Sequence, residues 1–212
     1  MTTISDIRAR VRTDLHDEDS QNYRWTDAEL DRHIGRAVTE LSLAAPLEAK
    51  STLTTTAGSR DVSITSLSDR VSVEAVEYPT GKYPLVYVRF SLWADTLTLL
   101  VDSSPDGGEN VDVYYTKLHT LDATTSTLPQ ALEDLVATGA GGYAALEWAS
   151  FATNRVNVGG EDVWRHYLAW GQDRLSAFMR GLTKHSRKSA VRARRLYPPQ
   201  RLPEDKTTVV GP

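Results

Sequence analysis

The spacing of apolar residues along this chain of 212 residues changes twice, and the two changes constrain the fold more than any other sequence feature. Up to Pro46, apolar residues recur every three or four positions, the period of an amphipathic helix. From Ser51 the pattern alternates, as in strands with one buried face, and helical spacing returns at Pro129. The sequence therefore predicts a mainly α fold: a helical bundle with an inserted antiparallel β subdomain and an extended C-terminal helix and tail.

The segment from Trp25 to Pro46 has the strongest helix-start signal in the sequence. Thr26 and Glu29 have the spacing of a capping box, and Trp25 precedes the cap as in a hydrophobic staple. Its apolar stripe comprises Leu30, Ile34, Val38, Leu41 and Ala45. We expect this segment to be the central helix of the bundle, ended by Pro46.

A short helix is expected before it, over Ser5–Asp14, with Arg8, Arg10 and Arg12 away from the apolar face. The following run, HDEDSQNYR, is acidic and polar and predicts a solvated loop, with an acidic binding site as the alternative. On the central helix, His33 falls on the polar side. These side chains are therefore expected at the surface.

The alternating region predicts six short strands separated by turns rich in Gly, Pro and Asp. Their expected ranges are 52–56, 61–65, 70–78, 85–92, 97–101 and 111–116. The run from Asp102 to Asn110, with its Ser, Pro, Asp and Gly residues, is the strongest turn signal and predicts a hairpin loop. It has some features of a calcium loop, but Val113 stands where that motif requires a bidentate Glu.

Two further helices are predicted after Pro129, with a loop over Asn154–Gly160 and a helix start near Glu161. The run GAGG, Gly139–Gly142, weakens a helix locally, which predicts close approach of a neighbouring backbone. Beyond Leu182 the apolar stripe thins out. The residues assigned to bundle packing are Trp25, Leu30, Ile34, Val38, Leu41, Gly139, Gly142 and Tyr143.

These patterns divide the chain into four parts. Residues 1–50 are assigned to the N-terminal bundle helices, 51–118 to the inserted β subdomain, 119–183 to the C-terminal bundle helices, and 184–212 to a basic helix extension and tail. No apolar run approaches the length that spans a membrane. The composition, with 25% charged residues and a net charge of −4, gives no overall attraction to nucleic acid.

No arrangement of residues typical of an enzyme stands out. The chain has 0 Cys, which excludes thiolate metal sites, disulfides and a Cys nucleophile, and its 5 His form no HExxH motif. Asp162 and His166 are one helical turn apart and are interpreted as a surface pair. We therefore expect no catalytic residues, no metal site and no cofactor.

The C-terminal segment concentrates positive charge in a chain that is acidic overall. It carries Arg187, Lys188, Arg192, Arg194 and Arg195, then Leu196, Tyr197, two prolines and Arg201. The segment could grip the phosphates of nucleic acid, or it could dock on an acidic protein partner. Tyr197 and the prolines favour a protein partner, because they pre-order an extended strand that can lie in a groove.

The sequence resembles the head-to-tail adaptor (head-completion, connector) proteins of tailed bacteriophages. The resemblance lies in the opening helix, in YRWTDAELDRHIGRAVTEL, in VDVYYTKLHTLD followed by STLPQALEDLVATGAGGYAALEWAS, and in the charged C-terminal helix and tail. It implies a structural protein of the virion neck, at the head–tail interface, assembled in the host cytoplasm. It also implies a ring, usually a dodecamer, that lies beneath the portal, extends the DNA channel and provides a platform for the stopper or tail-completion protein.

By this resemblance, the C-terminal segment is the portal-binding part of the chain, with Arg187, Lys188, Arg192, Arg194, Arg195, Leu196, Tyr197 and Arg201 as its candidate residues. Genomic DNA would pass through the channel without sequence-specific binding. The large β insertion departs from the smallest, all-helical members of the family. The alternatives are another neck or tail component, such as a stopper, a DNA-binding accessory protein that acts through the basic segment, and an enzyme of unrecognised type.

Overall fold

The computed structural model describes residues 2–152 and 162–196, and for residues 187–196 it describes the backbone alone. This part of the chain contains four helices and two small antiparallel sheets. The helices are α1 (Ile4–Leu15), α2 (Asp27–Ala44), α3 (Gln130–Ala152) and α4 (Val163–Leu196). The fold is therefore mixed, and the prediction of a mainly α chain holds only roughly.

The start of α2 confirms the capping box predicted from the sequence. The Glu29 backbone N–H donates to Thr26 Oγ1 at 3.3 Å, and Glu29 Oε2 accepts from the Thr26 backbone N–H at 2.7 Å. Glu29 also places a carboxylate at the positive end of the helix dipole, and these hydrogen bonds lower its pKa. The helix ends at Ala44, two residues before Pro46.

The described residues form two compact units, each with its own core. The helical unit comprises residues 2–48, 69–71, 116–152 and 162–186. Its core contains side chains from all four helices: Ile7, Val11, Leu15, Trp25, Leu30, Ile34, Ala37, Val38, Leu41, Leu128, Leu132, Val136, Ala137, Ala140, Tyr143, Ala144, Ala145, Phe178 and Leu182. The apolar stripe read from the sequence of α2 is thus its buried face.

The β unit comprises residues 49–68 and 72–115. Its strands are β1 (Leu47–Thr54), β2 (Asp61–Ser63), β3 (Arg70–Glu77), β4 (Phe90–Trp93), β5 (Thr96–Leu99) and β6 (Asn110–Lys117). One sheet has the order β1-β6-β3 and the other β2-β5-β4. In the second sheet Val62 faces Leu97, and Phe90 faces Leu99. The core of the β unit combines strand side chains of both sheets with Ile64 and Leu67, which follow β2: Val62, Ile64, Leu67, Val76, Leu97, Leu99, Val111 and Val113.

The strand predicted over 85–92 is wrong in its extent. The Val88 backbone N–H donates to Val76 O at 2.9 Å, at the end of β3, whereas Phe90 pairs with Leu99 of β5 in the other sheet. The chain therefore changes sheets between Val88 and Phe90, and only Phe90–Trp93 forms a regular strand. The alternation of apolar residues continues across this change of sheet, because the segment buries one face whether it pairs with β3 or with β5. The first strand also begins earlier than expected, at Leu47.

Residues 102–110 form a turn, as predicted, but they do not form the loop of a hairpin. This segment connects β5 with β6, which belong to different sheets. Gly107 has a φ of +93°, and a Cβ there would lie 2.7 Å from the Ala57 backbone nitrogen. Glycine is required at this position for both reasons. The hairpin lies instead between β4 and β5, where Trp93 pairs with Thr96.

The ends of the predicted helices agree with the structure where it describes them. Expected over Ser5–Asp14, α1 spans Ile4–Leu15, and α3 begins directly after Pro129. The predicted loop Asn154–Gly160 and the helix start at Glu161 lie outside the described residues, and α4 is helical from Val163. Among the helices of the described ranges, none combines the length and the apolar character needed to cross a bilayer.

Candidate interaction surfaces

The residues assigned to bundle packing lie in the helical unit. Trp25 and the α2 residues Leu30, Ile34, Val38 and Leu41 are buried in its core. On α3, Gly139, Gly142 and Tyr143 are buried as well. The structure therefore places the α2 and α3 members of the set in one core.

The glycines of α3 lie against α4. A Cβ on Gly139 would lie 2.9 Å from Phe178 Cδ2, and one on Gly142 would lie 2.9 Å from Leu175 Cγ and 3.2 Å from the carbonyl oxygen of Gly171. Real side chains almost never approach so closely. The close backbone approach predicted from the GAGG run is present at Gly142, whereas Gly139 makes room for the Phe178 ring.

Arg12 corrects the prediction that the arginines of α1 point to solvent. Its side chain is buried and donates to Asp17 Oδ2 at 2.6 Å, to Asp27 Oδ1 at 2.7 Å and to the Trp25 carbonyl oxygen at 3.0 Å. The prediction of a solvated acidic loop is also wrong for Asp17, which is buried with it. A buried carboxylate requires such a partner, so this pair ties the loop and α2 to α1.

Arg8 adds a second link between α1 and α2. It donates to Asp31 Oδ1 at 2.8 Å, to Asp31 Oδ2 at 2.7 Å and to Asp27 Oδ2 at 2.8 Å. The paired geometry at Asp31 is the bidentate arrangement that only Arg offers. These contacts hold the start of α2 between two arginines, and they lower the pKa of Asp27, chiefly through its hydrogen bond from Arg12.

His33 is buried, contrary to the prediction that it lies on the polar side of α2. Its Nε2 lies 2.5 Å from Glu147 Oε2 of α3, and Arg32 donates to the same carboxylate at 2.5 Å. Burial is the largest influence on the ring and lowers the pKa of His33, although the Glu147 carboxylate opposes this. The surface next to it is an open cleft lined by Arg32, His33, Arg36, Tyr143, Leu146, Glu147 and Leu175.

An arginine and three aromatic rings form a second cluster at the surface of the helical unit. The Arg24 guanidinium carbon lies 4.8 Å from the ring centroid of Trp148, 5.2 Å from that of Tyr167 and 5.7 Å from that of Trp25. The Trp25 and Trp148 rings are 5.7 Å apart, edge to face. Sequence reasoning missed this cluster, since its members come from distant parts of the chain. We call it the Arg24 cluster.

In the β unit, two aromatic side chains are unusually exposed. Tyr83 is 98% exposed and Trp93, at the end of β4, is 86% exposed. Isolated apolar side chains at a surface are ordinary, so these two rings by themselves assign no binding surface.

The C-terminal candidate residues are only partly described. The backbone of α4 is helical through Arg187, Lys188, Arg192, Arg194, Arg195 and Leu196, whose side chains the structure does not describe. Tyr197 and Arg201 lie outside the described residues. Leu182 is the last core residue of α4 among the described side chains.

His119 has a structural role in the helical unit. His119 Nδ1 lies 3.0 Å from the Thr127 carbonyl oxygen, and its Nε2 lies 3.1 Å from that of Ala45. The His119 imidazole thus connects the backbone at Thr127 with the backbone at Ala45. The proposed pairing of Asp162 with His166 is not seen, since Asp162 contacts Arg165 at 3.3 Å. Within the described ranges, no group of three or more His, Cys, Asp or Glu could hold a metal ion.

Several solved structures resemble the chain weakly, including two particle necks. One is the neck of an empty GTA particle computed with C6 symmetry, with 14% identity over 80% of this chain and 88% of that chain and a TM-score of 0.31. The other is the neck of a native GTA particle computed with C12 symmetry, with 16% identity over 80% of this chain and 92% of that chain and a TM-score of 0.26. Scores this low carry no conclusion about this chain. None of the curated protein sequences matches it significantly.

The sequence model of the SU10 adaptor proteins, in contrast, matches residues 2–201. The matched range includes the helical unit, the β unit and the basic C-terminal segment as far as Arg201. The chain belongs to the SU10 adaptor protein family and is a structural head-to-tail adaptor.

Proposed function

We propose that this adaptor forms a homo-oligomeric ring, a dodecamer, beneath the portal in the virion neck. The ring extends the DNA channel and offers its far side to the stopper or tail-completion protein. The observation that carries this proposal is the family match over residues 2–201. A subunit of such a ring presents two different faces to its two neighbours, which is a heterologous contact closed by rotation.

The distribution of charge along the chain supports this arrangement. Residues 1–183 contain 16 Lys and Arg against 26 Asp and Glu, whereas residues 184–212 contain 8 against 2. An acidic body repels the phosphates of DNA that passes through the channel, so DNA slides instead of binding. The basic end is then free for a protein partner.

The length of α4 supports a role for the basic end in portal binding. The helix continues from Leu182 to Leu196, about 20 Å at 1.5 Å per residue. A helix of this length can carry the basic residues beyond the subunit's own core. Arginines can then pair bidentately with carboxylates of the portal, and Tyr197 can supply an aromatic anchor.

A DNA-binding accessory protein is the second candidate, favoured by the same basic residues. It predicts binding of duplex DNA that weakens steeply with salt. The proposed ring predicts no such binding by the body of the protein. The structural role also predicts that the protein has no catalytic activity. Two findings would contradict this prediction. One is stoichiometric metal in the purified protein, and the other is a hydrolase activity that is lost on substitution of His119 or His166.

Native mass spectrometry and negative-stain microscopy of the purified full-length chain test the ring. We expect closed rings of twelve copies that co-sediment with purified portal protein. A chain that stays monomeric at every concentration, both alone and with the portal, contradicts the proposal. A gel shift with a 24-base-pair duplex, measured on the same sample, distinguishes the ring from the accessory protein, since only the accessory protein is expected to shift the duplex.

A further inference from the structure

The Arg24 cluster holds a cation in a fixed position without a carboxylate. Arg8, Arg12 and Arg32 each pair with a carboxylate of their own chain. In contrast, within residues 2–152 and 162–196 no carboxylate lies within ion-pair distance of the exposed Arg24 guanidinium. Its position is determined by three rings at 4.8 to 5.7 Å, and a cation ordered in this way loses little entropy when it binds an anion.

A second donor in the same cluster also lacks an acceptor. The indole Nε1 of Trp148 is shielded from solvent and has no hydrogen-bond partner in the part of the chain that the structure describes. Buried donors are almost always paired in folded proteins. Within the described residues, the cluster therefore contains two side-chain donors without an acceptor, the buried Trp148 indole and the exposed Arg24 guanidinium, and only the guanidinium is open to a group from outside the subunit.

The cleft beside the cluster determines which acceptor fits. Its lining includes His16, Arg24, His166 and Trp170, with Asp14 at one side. A further cation, Arg174, stacks on Trp170 of this lining at 4.9 Å and lies 3.7 Å from Asp14, so its charge is already balanced. One unbalanced cation in an aromatic cleft suits a single carboxylate, whereas a DNA backbone needs a row of cations.

We infer that the Arg24 cluster binds an Asp or Glu side chain of a neighbouring copy of this chain. The inference rests on the proposed ring and names the site of one subunit contact within it. Residues 1–183 have 26 acidic against 16 basic residues, so a neighbouring copy presents many carboxylates. Trp, Tyr and Arg are also the residues that dominate protein–protein contacts.

Zero-length cross-linking provides the direct test. Arg24→Lys keeps a cation over the rings and supplies an amine that a carbodiimide couples to a carboxylate in contact with it. A mixture of ¹⁵N-labelled and unlabelled protein distinguishes coupling between copies from coupling within one. We expect a cross-linked peptide that joins position 24 to an Asp or Glu of another copy, identified by mass spectrometry.

Arg32→Lys is the matched control. Arg32 is exposed like Arg24, but it donates to Glu147 of its own chain. Its coupling is therefore expected within one copy. Coupling of position 24 only within one copy, or no coupling at all in assembled rings, overturns the inference.

Assembly of Arg24→Gln supplies an independent measurement. We expect the concentration at which half the chains are assembled to rise at least tenfold, while Arg32→Gln assembles like the wild type. Melting temperatures of both variants establish that the subunits are folded. Rings that form normally from Arg24→Gln overturn the inference and leave the proposed ring intact.

A wild type that forms no rings overturns both the inference and the proposed ring. If Arg24→Gln forms normal rings but no longer shifts duplex DNA, the site is assigned to nucleic acid instead.

Discussion

Gly142 of α3 and Leu175 of α4 are so close that a Cβ on the glycine would lie 2.9 Å from Leu175 Cγ. The neighbouring carbonyl oxygen of Gly171 would lie 3.2 Å away and belongs to the backbone, which cannot move aside as a side chain can. The absence of a side chain at position 142 therefore sets the distance between the two helices.

Gly142→Leu is expected to overpack this contact and to lower the free energy of unfolding by about 1–3 kcal/mol, measured by chemical or thermal denaturation. Gly35→Leu is the control, because the exposed face of α2 has nothing within 4 Å of a Cβ at Gly35. That variant should be as stable as the wild type or slightly more stable, since Leu has a higher helix propensity than Gly. Equal melting temperatures for Gly142→Leu and the wild type would refute this account of the packing.

The buried pair of Arg12 and Asp17 predicts a large loss of stability when one partner is removed. Arg12→Met leaves the Asp17 carboxylate buried without a cation and should cost about 3–5 kcal/mol in denaturant unfolding. The double variant Arg12→Met with Asp17→Asn should recover part of that loss, because no charge remains buried. Arg165→Ala removes an exposed pair and should change stability by less than about 1 kcal/mol. If Arg12→Met also changed the free energy of unfolding by less than about 1 kcal/mol, the buried pair would not be needed for stability.

His33 predicts a dependence of stability on pH. Burial lowers its pKa below the ordinary value of 6.5, so near and below that pH the unfolded chain binds more protons than the folded one. The contribution of neutral His33 is therefore complete above pH 6.5 and is lost as the pH falls toward the folded pKa. Carboxylates also titrate below pH 5, so the comparison must isolate the histidine.

His33→Gln keeps a polar side chain next to Glu147 but cannot titrate. The difference in melting temperature between the wild type and this variant should shrink or change sign between pH 7.5 and pH 5. Arg32→Gln serves as a control, because it alters the same carboxylate contact and retains the histidine. A difference that stays constant across this range would mean that the pKa of His33 is not lowered on folding.

Truncation after Ala190 tests the role of the basic segment. The remaining chain keeps Leu182, the last core residue of α4 among the described side chains, so its melting temperature should match that of the full chain. We expect it to fold and to assemble but to lose attachment to filled heads and to purified portal protein, measured by co-sedimentation. If the segment grips DNA instead, portal attachment persists and the salt dependence of DNA binding becomes weaker.

A full-length chain with Arg192, Arg194 and Arg195 replaced by Gln separates charge from length. Loss of portal binding in this variant as well would assign the contact to the arginines. Full retention of portal binding by the truncated protein would contradict the proposed role of the tail.

The sequence by itself determined the features that depend on neighbouring residues. The cap of α2 needs only Thr26 and Glu29, three positions apart, and its buried stripe needs only the helical period. The same holds for the close approach at Gly142, because glycines weaken a helix, so a run of them inside an apolar helix indicates that a neighbouring helix packs closely there. Membership of an adaptor family was likewise predictable, since it rests on such local patterns.

Only the tertiary structure decided which distant groups meet. His33 is buried and lies 2.5 Å from Glu147, 114 residues away along the chain, and no local pattern encodes that contact. Strand alternation does not state which sheet a strand joins, so the change of sheet between Val88 and Phe90 escaped prediction. Arg24 meets Trp148 and Tyr167 for the same reason. Burial and charge pairing depend on contacts across the fold, whereas caps and periodicity are properties of a few consecutive turns.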